Sequence, residues 1–501
     1  MAFPNPWMRR LHVPAAALCL TAFCAMAQPA GFNRAPWLED YAALKHALEK
    51  RYSNLAWFGS PEGGVDLPAL DRRTMAALEA AANDEDARAA LRGFVTAFHD
   101  GHFSQLASPA PSLPAKPPRV PDPVYSSQNA VDGCAAQGYA VGDDTQFSTP
   151  FESLPGFHLL ADGLSQAFRA GTLTDGSDRP RLGIVRIPVF EATHPSLCLQ
   201  AWTHTEVWGA DGKFKRGALR GAVEQLWYQS LAEILRKFKA DGVAAVIVDI
   251  GNNSGGDDSG DIAARLFTGH PVHSSPLWMA QDPAASTAYF DEVLNDLHGV
   301  LESAGSSKKL VEESIAAFAA GKENLSQEVC PVDWVWHERR QWSSQSCRRL
   351  VRAGSAGGPL DVLAPGTVAD SSVAQTLHWP ARIEPLWGSW TGPVYVLTDG
   401  RTYSAAEMFA AVMQNNGIAK IVGVKTGGDG CGFMHNPGPL VLPNSQMRFR
   451  IPNCVRIKAD GTDEVAGVVP DIPILPAEGE NAKQRAVRLV SELYAGLGRK
   501  N

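Results

Sequence analysis

Residues Gly392–Gly430, GPVYVLTDGRTYSAAEMFAAVMQNNGIAKIVGVKTGGDG, carry the strongest fold signal in the chain. Val394–Leu397 predicts a short strand, since β-branched and aromatic residues favour strands. Ala405–Asn415 places apolar side chains at helical spacing, and Gly417 is the residue type that commonly ends a helix. Ile418–Val422 then returns to a strand pattern. The segment therefore predicts a strand–turn–helix–strand unit, which is typical of an α/β fold.

Ser404 lies at the corner between the predicted strand and the predicted helix. Serine is a favoured N-cap residue, so a purely structural role is the common explanation of this position. The other interpretation is a nucleophile at a helix N-terminus, where backbone N–H groups and the helix dipole favour developing negative charge. This segment alone leaves both interpretations open.

A second strand–loop–helix pattern precedes this segment. Val243–Ile250 is a nearly continuous apolar run, as expected for a strand buried on both faces. It continues into the glycine-rich GNNSGGDDSG, Gly251–Gly260, and a helix is predicted from Asp261. Glycine lets bare N–H groups approach a substrate carbonyl, which would suit an oxyanion hole. A phosphate cradle and a simple turn are alternatives, although no Gly-Lys-Ser/Thr follows, as a Walker motif would require.

Both segments resemble the C-terminal-processing (tail-specific) and tricorn-type serine peptidases. That family has a Ser-Ala-x-Glu motif at the nucleophile and a Val-Gly-x-x-Thr segment after the next strand. The matching residues here are Ser404, Ala405 and Glu407, then Val422, Gly423 and Thr426. The family's Asp-x-Arg-x-Asn-x-Gly-Gly segment is matched by Asp249, Asn253, Gly255 and Gly256, with Gly251 in place of the arginine.

Two further segments complete the resemblance. Leu91–Phe98 is an amphipathic helix pattern that we expect to end at Asp100-Gly101, with Gly101 in the left-handed conformation and His102 directly after it. Alone, such a histidine is most often an ordinary polar residue, but the triplet resembles the tricorn-type segment that supplies the catalytic histidine. Glu464–Asp471 resembles the family's closing Glu-x-x-Gly-Val-x-Pro-Asp segment.

The resemblance implies a specific set of catalytic roles. Ser404 would attack a peptide carbonyl, His102 would act as base and then acid, and Glu464 would orient the imidazole. The backbone N–H groups of Gly255, Gly256 and Ala405 would bind the oxyanion. No metal or organic cofactor is implied, and the implied partner is a peptide or protein substrate.

Besides Gly251, this chain departs from the family's pattern at two positions. In the processing branch a lysine about two dozen residues after the nucleophile is the base, and Asp429 stands there instead. Lys425 is four residues away, up to ~13 Å along an extended segment, which is too far for a silent replacement. We therefore expect a histidine base and an activity that rises with pH as the imidazole loses its proton. The tricorn-type branch also has a hydroxyl residue beside the histidine, where this chain has Gly101.

The fold class implied is α/β, with a crotonase-like spiral core of βαβ units, an N-terminal helical region and an inserted, partly helical lid. The predicted organisation is a signal peptide at 1–27, a helical region at 28–104, a Pro/Gly-rich linker region without a clear PDZ pattern at 105–180, a first core part at 181–270, the lid at 271–385 and a second core part at 386–501.

The N-terminus indicates export. Arg9 and Arg10 precede the apolar run Val13–Met26, and Ala25–Ala27 matches an A-x-A cleavage site. The run is shorter than the ~20 residues that a membrane span needs. The sequence therefore predicts a periplasmic or extracellular protein without stable membrane insertion after cleavage. The net charge of −8, with no basic block, argues against nucleic-acid binding.

Six cysteines remain beyond the predicted signal peptide, and an even number in an exported chain indicates disulfides. Six cysteines allow 15 pairings. We predict the pairs that lie near in sequence: Cys134–Cys198, Cys330–Cys347 and Cys431–Cys454. No C-x-x-C spacing suggests zinc. Between Cys330 and Cys347 lie Trp334, Trp336 and Trp342, which either staple a small subdomain or form part of a lid.

Two other function classes fit parts of the sequence. One is a non-catalytic binding protein on the same scaffold, and the intact Ser-His-Glu set argues against it. The other is a hydrolase of non-peptide esters or amides. Labelling of Ser404 by a fluorophosphonate would exclude the first class, and a substrate panel would separate the second from a peptidase.

Overall fold

The computed structural model describes residues 32–107, 125–142, 144–174, 181–328, 330–343, 349–435 and 437–498. The predicted signal peptide lies outside these residues. The helices in chain order are α1 (Ala35–Arg51), α2 (Leu55–Phe58), α3 (Leu67–Ala80), α4 (Asp84–Thr96), α5 (Ala130–Ala136), α6 (Pro195–Ala201), α7 (Arg216–Ala240), α8 (Ser259–Ala263), α9 (Pro283–Val300), α10 (Lys308–Asn324), α11 (Ser371–Leu377), α12 (Ala405–Asn415) and α13 (Ala482–Gly498). The strands are β1 (Ser104–Leu106), β2 (Phe157–Asp162), β3 (Arg169–Leu173), β4 (Leu182–Arg186), β5 (Ala245–Asp249), β6 (Pro276–Ala280), β7 (Leu350–Ser355), β8 (Val394–Thr398), β9 (Lys420–Gly423), β10 (Leu440–Val441), β11 (Arg448–Arg450), β12 (Cys454–Arg456) and β13 (Ile472–Pro473).

A seven-stranded mixed sheet forms the centre of the molecule. Its strand order is β13-β9-β8-β5-β4-β3-β2. The five strands from β13 to β4 run parallel, while β3 and β2 continue the sheet in antiparallel pairing. Every residue of β4, β5 and β8 is buried, as expected for parallel strands covered on both faces. The α/β class predicted from the sequence is confirmed.

Helices cover both faces of this sheet. On one face α7 and α12 pack against side chains of β5 such as Val246 and Val248. On the opposite face Leu489 and Leu493 of α13 pack against Ile247. The resulting three-layer arrangement is the usual way to bury a parallel sheet. It holds the ends of β5 and β8, and the loops that follow them, in a fixed relation.

Strands β2 and β3 lie in the region that the sequence suggested to be a linker. β2 is an edge strand with half-exposed residues, including Leu159 at 41% exposure, so it lacks the apolar run of an inner strand. β3 is fully buried but contains Arg169, whose guanidinium is bound by Glu152. Polar residues that are satisfied by tertiary contacts conceal a strand from pattern analysis.

The four N-terminal helices form a second core with residues from distant parts of the chain. Leu44, Leu91 and Phe98 belong to this core, as do Trp336 and Phe449. The indole Nε1 of Trp336 donates to Glu49 Oε1 at 2.7 Å. This tryptophan therefore fastens the 330–343 segment to the N-terminal helices, which agrees with the structural interpretation of the tryptophan cluster.

A third core contains α9, α10 and α11 together with the small sheet β12-β6-β7. The strand-like segments Met447–Ile451 and Cys454–Lys458 are near in sequence, but they do not pair with each other as a hairpin. β11 pairs with β1 and β10, whereas β12 pairs with β6. The buried side chain of Asn453 donates to Ala285 O at 2.8 Å between the two strands and so directs β12 into the other sheet.

Two of the three predicted disulfides are confirmed, Cys134–Cys198 and Cys431–Cys454. Cys330 is also disulfide-bonded, while its predicted partner, Cys347, lies outside the described residues. In the part of the chain that the structure covers, no helix is both long and apolar enough to cross a membrane.

Candidate active site

Ser404 occupies a strained corner between β8 and α12. Its φ is 53° and its ψ is −119°, a conformation that non-glycine residues rarely adopt and that is concentrated at functional sites. The glycine-rich loop approaches this corner closely. A Cβ on Gly255 would be 2.6 Å from the Cβ of Ser404, so only glycine allows the approach. The strand and helix on either side therefore hold the half-buried Ser404 beside the loop after β5.

His102 reaches the site by a different route from the one predicted. The helix α4 ends at Thr96, before Asp100-Gly101, and the left-handed residue is His99 with φ 55°. Gly101 is not among the residues with positive φ. Instead, Asp100 fixes the turn, because its Oδ1 accepts the backbone N–H of His102 at 2.8 Å. Asp100 is itself held by the hydroxyl of Tyr52, which donates to Oδ2 at 2.6 Å.

The structure brings Ser404 and His102 together although 302 residues separate them. Nε2 of His102 lies 3.2 Å from Oγ of Ser404, which is the contact a general base makes with its nucleophile. The histidine side chain is only 15% exposed. The imidazole is therefore largely shielded from water, although its exposed part lines an open cleft of about 960 Å³ together with Ser254 and Tyr403.

The other ring nitrogen of His102 faces Asp429 and Asp100. Nδ1 is 3.2 Å from the carbonyl oxygen of Asp429, 3.7 Å from its Oδ2 and 3.6 Å from Oδ1 of Asp100. Burial of the imidazole lowers its pKa, but the hydrogen bond to Asp100 and the negative charges of Asp429 and Asp100 outweigh burial. The pKa of His102 is therefore raised above its ordinary value.

Glu464 is held by an arginine. Its carboxylate is fully buried, and Oε2 accepts from Nε of Arg456 at 2.5 Å. Arg456 also donates from Nη2 to Gly430 O at 3.0 Å. Across the described residues no hydrogen bond or ion pair joins Glu464 to His102. The structure thus brings Ser404 and His102 into contact, whereas Glu464, the third residue of the predicted triad, is paired with Arg456.

The three N–H groups predicted for an oxyanion hole differ in availability. The N–H of Gly255 donates to Oδ1 of Asn253 at 2.8 Å and is engaged inside the loop. Within the described part of the chain, the N–H groups of Gly256 and Ala405 donate to no other group of the protein. Ala405 is the first residue of α12, so its N–H is one of the free donors of a helix N-terminus.

Glu407, which the sequence indicated only as part of the Ser-Ala-x-Glu motif, is buried and accepts hydrogen bonds from several parts of the site. Its carboxylate accepts the N–H of Ser404 at 3.1 Å and that of Asp429 at 2.8 Å. It also accepts from Thr426 Oγ1 and the N–H groups of Gly428 and Gly430. Burial raises the pKa of Glu407 to about 6, although these donors favour the carboxylate. One side chain thereby joins the nucleophile turn to the loop that faces His102.

Asp429 and Arg456 were not predicted as site residues. The sequence did contain a signal for Asp429, because Gly101 and Asp429, which both depart from the family's pattern, are found in the same chain. Lys425 is exposed and donates from Nζ to Ala466 O at 2.9 Å, away from Ser404.

Asp100, His102 and Asp429 place potential ligand atoms within 4.8 Å of one another, a spacing that a metal ion would need. Their carboxylates already accept hydrogen bonds from Tyr52 and Gly101.

The third departure from the family's pattern also has a structural counterpart. Gly251 replaces the family's arginine, and a Cβ there would be 2.5 Å from Ser148 Oγ. The fully buried Arg186 of β4 places Nη1 3.5 Å from Asp249 Oδ1 and donates to the carbonyl oxygen of Gly251. A guanidinium is therefore present beside Asp249, although it comes from the neighbouring strand.

Comparison with known proteins identifies a family and a shared fold. The model of peptidase family S41 matches residues 181–474, more than half of the chain. No curated protein sequence is significantly similar to the chain. The crystal structure of mature CPAF superimposes with a TM-score of 0.50 at 16% identity, covering 93% of this chain and 98% of that one. Mature CPAF complexed with lactacystin gives a TM-score of 0.52 at 14% identity, covering 93% and 99%. At these identities the likeness shows a shared fold.

The photosystem II D1 C-terminal processing protease is also similar, at 12% identity and a TM-score of 0.32, covering 90% of this chain and 99% of that one. The family match includes Ser404 and Glu464 but begins after His102. It confirms the resemblance to tail-specific peptidases that the motifs indicated. The chain belongs to peptidase family S41 and is a serine-type peptidase.

Proposed function

We propose that the chain hydrolyses peptide bonds through an acyl-enzyme, with Ser404 as nucleophile and His102 as general base. The observation that carries this proposal is the 3.2 Å contact between Ser404 Oγ and His102 Nε2 at the open cleft. The strained φ of Ser404 supports it, since such strain persists only where surrounding structure enforces it.

In the proposed first step, Ser404 Oγ attacks the scissile carbonyl carbon while its proton passes to Nε2 of His102. The tetrahedral intermediate collapses as the C–N bond breaks, and His102 returns the proton to the leaving amine. A water molecule then attacks the ester with His102 again as base, which releases the carboxylic acid and restores the serine hydroxyl. The second stage repeats the first with water in place of serine.

The oxyanion of each intermediate would be bound by N–H groups of Gly256 and Ala405. Both are free of other partners among the described residues, and the second lies at the helix N-terminus, where the dipole favours negative charge. Gly255 contributes to the oxyanion hole because it has no side chain, which lets the turn that carries Ser404 pack closely against the loop.

For Glu464 we propose a supporting role through Arg456. Family resemblance assigns this glutamate to the imidazole, but its contact is with the guanidinium that holds Gly430 O. In this way Glu464 would stabilise the backbone on which the site is built.

The test is active-site labelling together with hydrolysis of a peptide library. Ser404→Ala should abolish fluorophosphonate labelling and hydrolysis, and His102→Ala should reduce hydrolysis by about 10²-fold or more. The exposed Ser371→Ala and His298→Ala are matched controls and should behave like the wild type. Lys425→Ala should also retain most activity. If Lys425→Ala abolished hydrolysis while His102→Ala retained it, the proposed mechanism would be wrong.

The same experiment separates the rival classes. A binding protein would show no Ser404-dependent labelling and no turnover. An ester or amide hydrolase would be labelled at Ser404 but would leave every peptide of the library intact while cleaving small esters. Turnover of peptides that is lost in Ser404→Ala would support the peptidase.

We further propose export, a spiral arrangement of the core and a lid formed by residues 271–385. Disulfides support export, since they persist in oxidising compartments. The inserted segment contacts the part of the chain that follows Asp429, because Asn453 donates to Ala285 O and Glu292 pairs with His435, and these contacts support a lid. Cell fractionation tests export. Hydrogen exchange of α9, which should slow when the serine is covalently blocked, tests the lid.

A further inference from the structure

Two of the positions at which this chain departs from its family, 101 and 429, are in contact. The N–H of Gly101 donates to Asp429 Oδ1 at 2.8 Å, and a Cβ on Gly101 would be 2.7 Å from Oδ2. Since Gly101 does not have a positive φ, its backbone conformation does not demand glycine. What demands it is the space taken by the Asp429 carboxylate.

Asp429 faces the imidazole with two groups. Its carbonyl oxygen lies 3.2 Å from Nδ1 of His102, and its Oδ2 lies 3.7 Å from the same atom. The carbonyl can accept the Nδ1 proton, which leaves the lone pair of Nε2 directed at Ser404. The carboxylate supplies the negative charge that an imidazolium needs when the serine proton has been transferred.

Two other acids lie nearby, and both have closer partners than the ring. Asp100 Oδ1 is 3.6 Å from Nδ1 and adds negative charge there, but it also accepts the N–H of His102, while Oδ2 accepts the hydroxyl of Tyr52. Glu464 is bound by Arg456. Among the described carboxylates, Asp429 is therefore the one whose backbone and side chain are both turned toward Nδ1.

Asp429 is also rigidly held. Its own N–H and that of Gly430 donate to Glu407 Oε2, which accepts the N–H of Ser404 as well. Two residues further on, Cys431 is tied to Cys454. Such support is what a group needs to keep a base oriented throughout a reaction.

We infer that Asp429 is the positioning residue of the site, orienting His102 and stabilising its cation in the role that the family gives to a glutamate, with Gly101 as the residue that makes room for it. This inference rests on the proposed Ser404–His102 mechanism.

The test compares Asp429→Asn with Glu464→Gln and with the exposed control Asp132→Asn. Asn keeps the backbone carbonyl and removes only the charge. Asp429→Asn should lower kcat by about 10²-fold with little change in KM, and the acid limb of kcat/KM should shift to lower pH because the imidazolium loses its counter-charge. Glu464→Gln and Asp132→Asn should leave that limb in place. A limb that moves in Glu464→Gln but not in Asp429→Asn would overturn the inference.

A double-mutant cycle checks the contact with Gly101. Gly101→Ala should reduce activity strongly in the wild-type background, since its methyl group displaces the Asp429 carboxylate. In an Asp429→Ala background the same change should add less than about 3-fold. Additive losses would show that the two positions act independently and would contradict the inference.

A spectroscopic measurement separates this inference from the proposed function. In the inactive Ser404→Ala protein, the imidazole titration of His102 is followed by NMR and assigned by its loss in His102→Ala. Asp429→Asn should move that titration to lower pH, whereas Asp132→Asn should not. An inactive wild type would refute the proposed function and leave this readout intact, and an unmoved titration would refute the role of Asp429 even in an active enzyme.

Discussion

Arg456 and Glu464 form a buried ion pair beside the nucleophile turn, with Nε 2.5 Å from Oε2 and side-chain exposures of 6% and 0%. The pair is part of the support of the site, because the same guanidinium donates to the carbonyl oxygen of Gly430. Removing one partner would leave the other as an uncompensated buried charge.

The first prediction concerns this pair. Glu464→Gln should lower the free energy of unfolding by about 3–5 kcal/mol, because Arg456 stays buried without its counter-charge. Urea unfolding measures the loss. Asp211→Asn, which breaks the exposed contact with Lys213, should change stability by less than about 1 kcal/mol. A Glu464→Gln protein as stable as the wild type would refute this account of the pair.

The second prediction is a pH dependence. Because the pKa of His102 is raised and the base must be neutral, kcat/KM should rise with pH through a midpoint above the ordinary value of a histidine. A group with a raised folded-state pKa contributes stability that is complete at low pH and is lost as pH rises through that pKa. Activity and this stability contribution should therefore change in opposite directions over one pH window.

Steady-state kinetics and urea unfolding over the same pH series check this prediction. His298→Ala, an exposed histidine on α9, should leave both curves unchanged. An acid limb at or below the ordinary histidine pKa would show that the carboxylates around Nδ1 do not act on His102 in the working enzyme.

The third prediction concerns the Cys431–Cys454 disulfide, which closes a loop with a sequence separation of 23. Replacing both cysteines by serine should cost about 2–4 kcal/mol of stability. It should also lower kcat, because the bridge anchors the loop that carries Asp429. The matched control is the double serine variant of Cys134 and Cys198, which should lose stability but keep kcat at temperatures where it is folded. Equal effects on kcat would contradict the anchoring role.

The fourth prediction concerns Gly432, which packs against the imidazole of His102. Its φ is +71°, and a Cβ there would be 2.5 Å from Cδ2 of His102. Gly432→Ala should reduce activity by about 10²-fold by displacing the imidazole. Gly417→Ala is a sharp control, since Gly417 has a similar φ of +64° but nothing within 4 Å of its Cβ position. Both variants should lose about 1–2 kcal/mol, and only the first should lose activity.

The unit around Ser404 could be predicted because its signals are local. The strand, the turn and the apolar spacing of α12 all lie within Gly392–Gly430, and the structure has β8, α12 and β9 there. The buried run before the glycine-rich loop is equally local and forms β5. Contacts between residues that are distant in sequence leave no local pattern, so they could not be predicted in this way. Strand β3 was missed because the partner of Arg169 comes from another segment, Glu152.

The same limit applies to the site. His102 and Ser404 were paired only through family resemblance, since no local pattern indicates that two residues with a sequence separation of 302 are in contact. The orientation of His102 depends on where the chain returns after β9, and that path is set by Glu407 and by the Cys431–Cys454 bridge. A motif names residue types in order, but it does not show that Arg456 has engaged Glu464.

The separation of the two dyad residues has a consequence during synthesis. A ribosome adds roughly 5–20 residues per second, so roughly 15–60 s pass between the appearance of His102 and that of Ser404. The loop that holds the imidazole, with Asp429 and Cys431, is made later still, and its disulfide needs Cys454. A nascent chain thus contains the proposed base long before the proposed nucleophile, and the contacts that orient them form only when nearly the whole polypeptide has been made. Incomplete chains are therefore expected to be inert as hydrolases.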